Sequence, residues 1–326
     1  MREKLLITGG SGFVAWHIIN KALAQGFEVY VSTRPSSGTA HLKDLDLKYT
    51  SLDFADPGSI RKELEANQYS HIIHAAGSTR APSQEQYNLV NAVFTANLAK
   101  AAYDSDIPLK KFVFLSSLAA VGPSQGAMID ENKPKQPVTA YGKSKLLAEK
   151  MLNDLPGLPL LVFRPTAVYG PRERDILIVF KTISRGLEPY IGSNRQELSF
   201  VYVKDLAALV ISSLDSLITG KAYNISDGNV YDRYALAGIT KSILNKKTFR
   251  LHLPLGLVKI IAGIMEAAGS VNHSVPALNR DKLAELTASW ACSIEAAKKD
   301  LNYDPRYDLS TGLKETLEWY SANKWM

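Results

Sequence analysis

Cysteine occurs once, at Cys292, so an intrachain disulfide is excluded and a reducing compartment is the simpler expectation. No apolar run approaches the roughly 20 residues a spanning helix needs. The longest candidate, Leu253 to Ala268, is interrupted by Lys259 and Glu266, and its pattern suits a buried or pocket-covering helix, with ordinary core packing the favoured form and a membrane-surface helix the alternative. No low-complexity tract or internal repeat is present, which excludes a solenoid or a disordered arm. Met1-Arg-Glu-Lys runs directly into a strand-like segment, unlike a secretory leader, and cytoplasmic residence is expected. The 38 Lys and Arg outnumber the 32 Asp and Glu, but they form no run, so no nucleic-acid partner is expected. The six histidines show no metal-ligand spacing, and no metal is expected.

What is present is ordinary globular composition, 46% hydrophobic and 21% charged over 326 residues, enough for one large domain or a principal domain plus a smaller one. Apolar strand candidates recur at Lys4 to Thr8, Glu28 to Thr33, His71 to His74, Lys111 to Ser116 and Leu160 to Arg164, with helical segments between them. That alternation predicts an α/β fold, a Rossmann-type doubly wound parallel sheet covered on both faces. From about Thr166 the rhythm weakens, and a smaller, mostly helical C-terminal substrate domain is expected. The expected division is 1–165 for dinucleotide binding and 166–326 for substrate, with Phe200 to Val203 (within about 200–210) and Ala222 to Ile225 (within about 222–226) as candidates to return to the main sheet.

The first strand ends in Thr8-Gly-Gly-Ser-Gly-Phe-Val-Ala, which sets Gly9, Gly12 and Ala15 three apart before an amphipathic segment ending near Ala24. Gly9 permits a tight turn, Gly12 lets the backbone approach a pyrophosphate, and Ala15 lets the helix pack on the strand. Gly12, Phe13 and Val14 open that helix, whose free N–H groups and positive dipole end would face phosphates. The second strand ends in Thr33 and Arg34, where a carboxylate for a ribose 2′-hydroxyl would otherwise stand. A guanidinium there forks onto a phosphate, so NADP(H) is favoured and NAD(H) is the other option.

Thr139-Ala-Tyr-Gly-Lys-Ser-Lys reads as a helix start, with Tyr141, Lys145 and Glu149 on one face. A tyrosine works as an acid or base near neutrality only with positive charge nearby, and Lys145 lies one turn along. The Phe112 to Leu115 strand ends in two hydroxyls, where ligands of open α/β sheets sit, so Ser117 or Ser116 is placed to bond a substrate oxygen.

With these motifs, Asp53, His74-Ala-Ala-Gly, Arg164-Pro-x-x-Val-Tyr-Gly-Pro and Phe200-Val-Tyr-Val-x-Asp205, the chain resembles an extended short-chain dehydrogenase/reductase of the NAD-dependent epimerase/dehydratase group over nearly its whole length. The resemblance implies Ser117, Tyr141 and Lys145 as the catalytic trio, with Tyr141 exchanging the proton and Lys145 also holding the nicotinamide ribose. It implies Asp53 and Phe54 near the adenine, Ala75, Ala76 and Gly77 along the cofactor, and Pro165 to Val168 beside the nicotinamide. It also implies a homodimer pairing through helices that include the one bearing Tyr141. Read locally, Asp53 is instead a loop carboxylate capping the helix after Asp56-Pro-Gly.

Nucleotide-sugar epimerases of this group usually carry an arginine just before the Phe-Val-x-Val strand to bind diphosphate. Here that place is Leu198, with Arg195 nearby. Ser116 to Pro123, Leu198 to Val203 and the tail from Trp290 to Tyr320 are more similar to the 3β-hydroxysteroid dehydrogenase and dihydroflavonol reductase branch. The expected function is therefore an NAD(P)-dependent oxidoreductase interconverting a secondary alcohol and a ketone on a largely apolar, steroid- or dihydroflavonol-like small molecule. The alternatives are a nucleotide-sugar epimerase or dehydratase with tightly held NAD, and a non-catalytic cofactor-sensing protein on the same scaffold.

Overall fold

Seven strands run parallel in one sheet of the computed structural model, which describes residues 2–34, 36–271 and 278–326. Six of them are β1 (Lys4–Thr8), β2 (Glu28–Ser32), β3 (Lys48–Thr50), β4 (His71–His74), β5 (Lys111–Leu115) and β6 (Leu160–Pro165). The seventh is Lys221–Ile225, and the order across the sheet is Lys221–Ile225, β6, β5, β4, β1, β2, β3. The order reverses between β1 and β4, and the open crevice of a doubly wound fold lies beyond the carboxyl ends of strands at such a point. β4, β5 and β6 are buried along their whole length, as strands covered on both faces must be.

The helices supply the two covers. α1 (Phe13–Ala24) packs with the Val203–Ser212 helix on one face, around Ile18, Ile19, Leu206 and Val210. α2 (Pro57–Asn67), α4 (Phe94–Asp104) and α5 (Ala140–Asn153) close the other, around Leu64, Leu98, Phe112 and Ala148. The short α3 (Gln84–Asn88) precedes a single π-type turn, Leu89–Val93, that leads into α4. A third core, built from Tyr169, Phe180, Tyr202, Leu313 and Tyr320, anchors the C-terminal helix Leu309–Ala322.

Several expectations need correction. Phe200–Tyr202 does not join the main sheet; it pairs in parallel with Ala167–Tyr169, and only the helix that follows it returns to α1. Lys221–Ile225 does join, beside β6. β3 was not expected, because its two exposed residues and its length of three leave no periodic signal. The C-terminal region is mostly helical as expected, and within it Leu187–Ile191 and Phe249–Leu253 add a short parallel pair. The helix over the apolar Leu253 to Ala268 run, Leu255–Val271, is not packed away in the core. It buries Val258 and Ala262 while Leu257, Ile260, Ile261 and Ile264 stay exposed. Among the described residues no helix is long and apolar enough to cross a membrane.

Candidate active site

The glycine loop is held by a close approach. Gly9 has φ +70°, and a Cβ on it would lie 2.7 Å from the backbone of Ala76, so only glycine lets the loop after β1 touch the loop after β4. The Ala76 N–H donates to the Thr8 hydroxyl (3.3 Å), which also contacts His74 Nδ1 at 2.8 Å. His74 Nε2 meets Thr95 at 2.9 Å, and burial drives the imidazole down to about 3, so it is neutral and acts as a tie between β1, β4 and α4.

Gly12 is the N-cap of α1, and the first backbone bond entering the helix is from Trp16 N–H to Gly12 C=O (3.1 Å). The N–H groups of Phe13, Val14 and Ala15 therefore have no acceptor within the helix, and no acidic residue lies in its first turn. Ala15 is buried against the sheet, as its small size requires. Arg34 is exposed just beyond β2, and among the described residues no carboxylate pairs with it.

Asp53 is exposed and its carboxylate accepts from Ala55 N–H at 2.9 Å; it does not cap α2. Asp56 does, accepting from Gly58 N–H (2.9 Å) and Ser59 N–H (3.2 Å), with Pro57 at the first helical position. Phe54 stacks on Phe94 at 6.2 Å, and its carbonyl accepts from Asn97. Pro165 ends β6 opposite Ile225, Val168 is half-buried against the core, and the buried Thr166 hydroxyl has no partner among the described residues.

Ser117 and Tyr141 come together at the carboxyl end of β5. Thr139 caps α5 by accepting from Gly142 N–H at 3.0 Å, and Ser117 caps the following turn through Ala119 N–H at 3.2 Å. Tyr141 lies beside the Ser117 hydroxyl. Burial pushes its phenol up to about 12 against the pull of Ser117, with Glu285 and Tyr87 adding to the rise. The phenol is protonated at neutral pH, ready to donate.

Lys145 is buried and turned inward. Its ammonium donates to the Leu115 carbonyl (2.8 Å) and lies 4.7 Å from the centre of the Phe114 ring. Burial lowers its pKa to about 8, with Glu149 opposing. A Cβ on Gly77 would stand 3.3 Å from Lys145 Nζ, so the loop after β4 closes over the ammonium.

Two features of the site were given no role by the sequence reading. Asn91, fully buried on the π-type turn, accepts from Ser78 N–H at 2.7 Å and donates to the Ser78 carbonyl at 2.9 Å and the Ser144 hydroxyl at 3.0 Å, tying the loop after β4 to α5. Glu149 is gripped by Arg164 in a bidentate pair (2.9 and 2.7 Å), by Ser116 at 2.7 Å and by Lys135 at 3.1 Å. Burial works against its carboxylate, but Arg164 and these neighbours outweigh it and hold its pKa below the ordinary range. The i, i+4 spacing of Glu149 from Lys145 was the one available signal for it. Ser116 serves this pair, which leaves Ser117 as the hydroxyl beside Tyr141.

The remaining landmarks are structural fasteners. Asp205 accepts from Arg306 N–H (3.0 Å) and Tyr307 N–H (2.9 Å), and Tyr169 donates to the Asp308 carbonyl at 3.0 Å. Leu198 is half-buried in the third core, bridged to Tyr231 and Trp290, and Arg195 is exposed and paired with Glu197 at 3.0 Å. No groups of three potential metal ligands occur among the described residues.

The residues fit a nicotinamide dinucleotide: a glycine-only cradle at Gly9, a helix N-terminus with free N–H groups, and an unpartnered Thr166 hydroxyl beside Pro165. Comparison with known proteins agrees. The chain is 25% identical over 333 residues to the UDP-glucose 4-epimerase of Vibrio cholerae, covering 98% of this chain and 95% of that one. It is 24% identical over 329 residues to the ceramide reductase of Caulobacter vibrioides, covering 100% and 96%. A crystal structure of a UDP-glucose 4-epimerase from Thermotoga maritima with UDP-glucose superposes with a TM-score of 0.82 at 20% identity, covering 98% and 99%. Residues 5–226 match the model of the NAD dependent epimerase/dehydratase family, and the chain belongs to that family.

Proposed function

We propose that this enzyme moves a hydride between a nicotinamide cofactor and a secondary carbinol carbon. The observation that carries the reading is the placing of the half-buried Tyr141, its phenol protonated, beside the Ser117 hydroxyl at the carboxyl end of β5. When bound, the nicotinamide supplies the carbon that gives or takes the hydride. Ser117 orients the substrate oxygen, Tyr141 donates a proton to it in reduction or removes one in oxidation, and the Lys145 ammonium, fixed by Leu115, holds the cofactor ribose and favours a developing phenolate. Gly9, Gly12, Phe13 and Val14 hold the pyrophosphate. Asp53 and Phe54 flank the adenosine, Ala75 to Gly77 and Pro165 to Val168 line the nicotinamide half, and Arg34 gives a preference for NADP(H).

For the substrate, the named relatives weigh toward a nucleotide sugar and a hydride returned to the same molecule, as in the UDP-glucose 4-epimerases. They give the steroid- or dihydroflavonol-like reductase expected from the sequence less support. A second reading, net reduction of a ketone on a lipid-like substrate, is favoured by one observation: the place of a diphosphate-binding arginine is filled by Leu198, embedded among Tyr231 and Trp290, while Arg195 is occupied by Glu197. The ceramide reductase of Caulobacter vibrioides accords with it. Nicotinamide absorbance separates the two. UDP-glucose converted with no net absorbance change supports the epimerase, and stoichiometric loss of reduced cofactor with a long-chain ketone supports the reductase. Tyr141→Phe should abolish turnover in either case while cofactor affinity stays within about twofold, and retained turnover would remove Tyr141 from the chemistry.

A further inference from the structure

One stretch of the chain supplies its entire charge imbalance. Residues 233–265 contain six cations, Arg233, Lys241, Lys246, Lys247, Arg250 and Lys259, and no Asp or Glu, while the rest of the chain holds equal numbers of each sign; the formal +6 belongs to this stretch. The same stretch carries six of the seventeen large apolar side chains that stand exposed among the described residues: Phe249, Leu251, Leu257, Ile260, Ile261 and Ile264. Single exposed apolar groups are ordinary, but a cluster of them marks an interaction surface.

These side chains belong to one side of the Phe249–Leu253 and Leu187–Ile191 pair. Phe249, Leu251 and Leu253 alternate with Arg250 and His252, and their partners in register are Leu187, Pro189 and Ile191. The Leu253 and Ile191 end of that face is covered by Leu255, Val258 and Ala262 of the Leu255–Val271 helix. The other end is bare, with Phe249 68% exposed. On the helix, Leu257, Ile260, Ile261 and Ile264 follow the i, i+3, i+4, i+7 spacing and form a stripe turned away from the buried Val258 and Ala262. Cations border both parts. Phe249 N–H donates to the Gly186 carbonyl at 2.8 Å, which brings the exposed Arg185, Lys246 and Lys247 to the bare end of the sheet, and the exposed Lys259 lies within the helix. Lys241 and Arg250 are engaged by Glu188 on the opposite face at 2.6 and 3.3 Å, and Arg233 is buried against the Asn194 and Ile191 carbonyls. Among the described residues no carboxylate pairs with Arg185, Lys246, Lys247 or Lys259.

From this coincidence of apolar exposure and unpaired positive charge we propose that the face docks on the surface of an anionic phospholipid membrane. The helix lies in the plane of the headgroups with Leu257, Ile260, Ile261 and Ile264 toward the acyl chains, Phe249 and Leu187 enter beside it, and the four free cations meet lipid phosphates at the rim. Charge decides between this occupant and a second copy of the chain, because a twofold contact through the same face would set one cationic rim against another. The helix rests on the bilayer and does not cross it, since its 17 residues are too few and no helix among the described residues is long and apolar enough to span. The docking holds under either substrate reading above.

The test is co-sedimentation of the full chain with vesicles of equal parts phosphatidylglycerol and phosphatidylcholine, set against vesicles of phosphatidylcholine alone. Saturable binding to the anionic vesicles is expected, at least about tenfold tighter than to the neutral ones and weakened by added salt. Lys246→Gln and Lys247→Gln should each weaken it roughly fivefold. Ile264→Gln and Phe249→Gln leave the charge untouched and should each weaken it about tenfold or more. All four positions are exposed, and thermal unfolding and NADPH affinity, which should match the wild type, confirm that the variants are folded. Four results would overturn the proposal. They are no binding to anionic vesicles, binding that is equal on neutral vesicles, binding that survives both apolar substitutions and so reflects bulk charge alone, and self-association in analytical ultracentrifugation that Ile264→Gln abolishes while vesicles stay unbound, which assigns the face to a second copy.

Discussion

Gly142 and Ala119 meet backbone to backbone: a Cβ on Gly142 would lie 2.3 Å from the Ala119 carbonyl oxygen. This contact sets α5 against the turn that follows Ser117 and brings Tyr141 beside the Ser117 hydroxyl. Gly142→Ala must push the two apart. A stability loss of about 1–3 kcal/mol is expected from overpacking, with kcat down at least tenfold and cofactor affinity changed little. Unchanged kcat in a folded variant would show that the Ser117–Tyr141 spacing is not set here.

Lys145 yields a pH prediction with a definite sign. Burial places its pKa at about 8, below the ordinary lysine value, so the cation is complete well under pH 8 and is lost as pH rises through it. If the cation is needed, kcat/KM is level at neutral pH and declines above about pH 8. Tyr141, near 12, does not titrate in that window. Lys145→Met should lower kcat/KM at least a hundredfold and remove the alkaline limb. A wild-type profile level to pH 10 would contradict the role.

Cofactor choice is tested at Arg34, exposed beyond β2 with no carboxylate partner among the described residues. Arg34→Ala should weaken NADPH binding at least tenfold and leave NADH binding within twofold, measured by fluorescence titration. Equal losses for both cofactors would assign Arg34 no part in recognising the 2′-phosphate.

Asp53 and Asp56 separate a ligand contact from a helix cap. Asp56→Ala removes the acceptor of Gly58 and Ser59 N–H and should cost about 1 kcal/mol in urea unfolding, with cofactor affinity unchanged. Asp53→Ala, which loses only the bond from Ala55 N–H, should leave stability within about 0.5 kcal/mol and weaken cofactor binding. The reverse pattern would restore the capping role to Asp53.

Glu149→Gln leaves the Arg164 guanidinium buried without its charge partner, and such a loss costs about 3–5 kcal/mol. Both side chains are almost fully buried, so solvent screening offers little relief. Chemical denaturation measures it. A loss below about 1 kcal/mol would mean that Arg164 finds another acceptor.

The parallel sheet was legible in the sequence because β1, β2, β4, β5 and β6 are continuous apolar runs, the pattern that burial on both faces demands. The glycine loop and the Tyr141, Lys145 spacing were legible for a similar reason, since turn geometry and one helical turn are local properties. Asn91 left no trace, because an asparagine on a helix has no pattern of its own until a π-type turn aims it at Ser78 and Ser144. A local reading alone would make Asp53 the cap, and the structure gives that place to Asp56, because the choice between two carboxylates three residues apart depends on backbone direction, which Pro57 and the packing of α2 set.

The sequence by itself determined the fold class, the family, and the spacing of the glycine loop and of Tyr141 and Lys145, because these are written in short-range periodicity and spacing. Tertiary structure alone decided that Lys145 turns to Leu115, that Glu149 answers to Arg164, and that the Leu255–Val271 helix stands open against Arg280–Thr287 instead of in the core. Those outcomes depend on burial and on partners up to more than a hundred residues apart, as with Asp281 and Ala140. The free energy of placing a charge or an apolar face is fixed by what surrounds it in space, and a linear sequence does not state its surroundings.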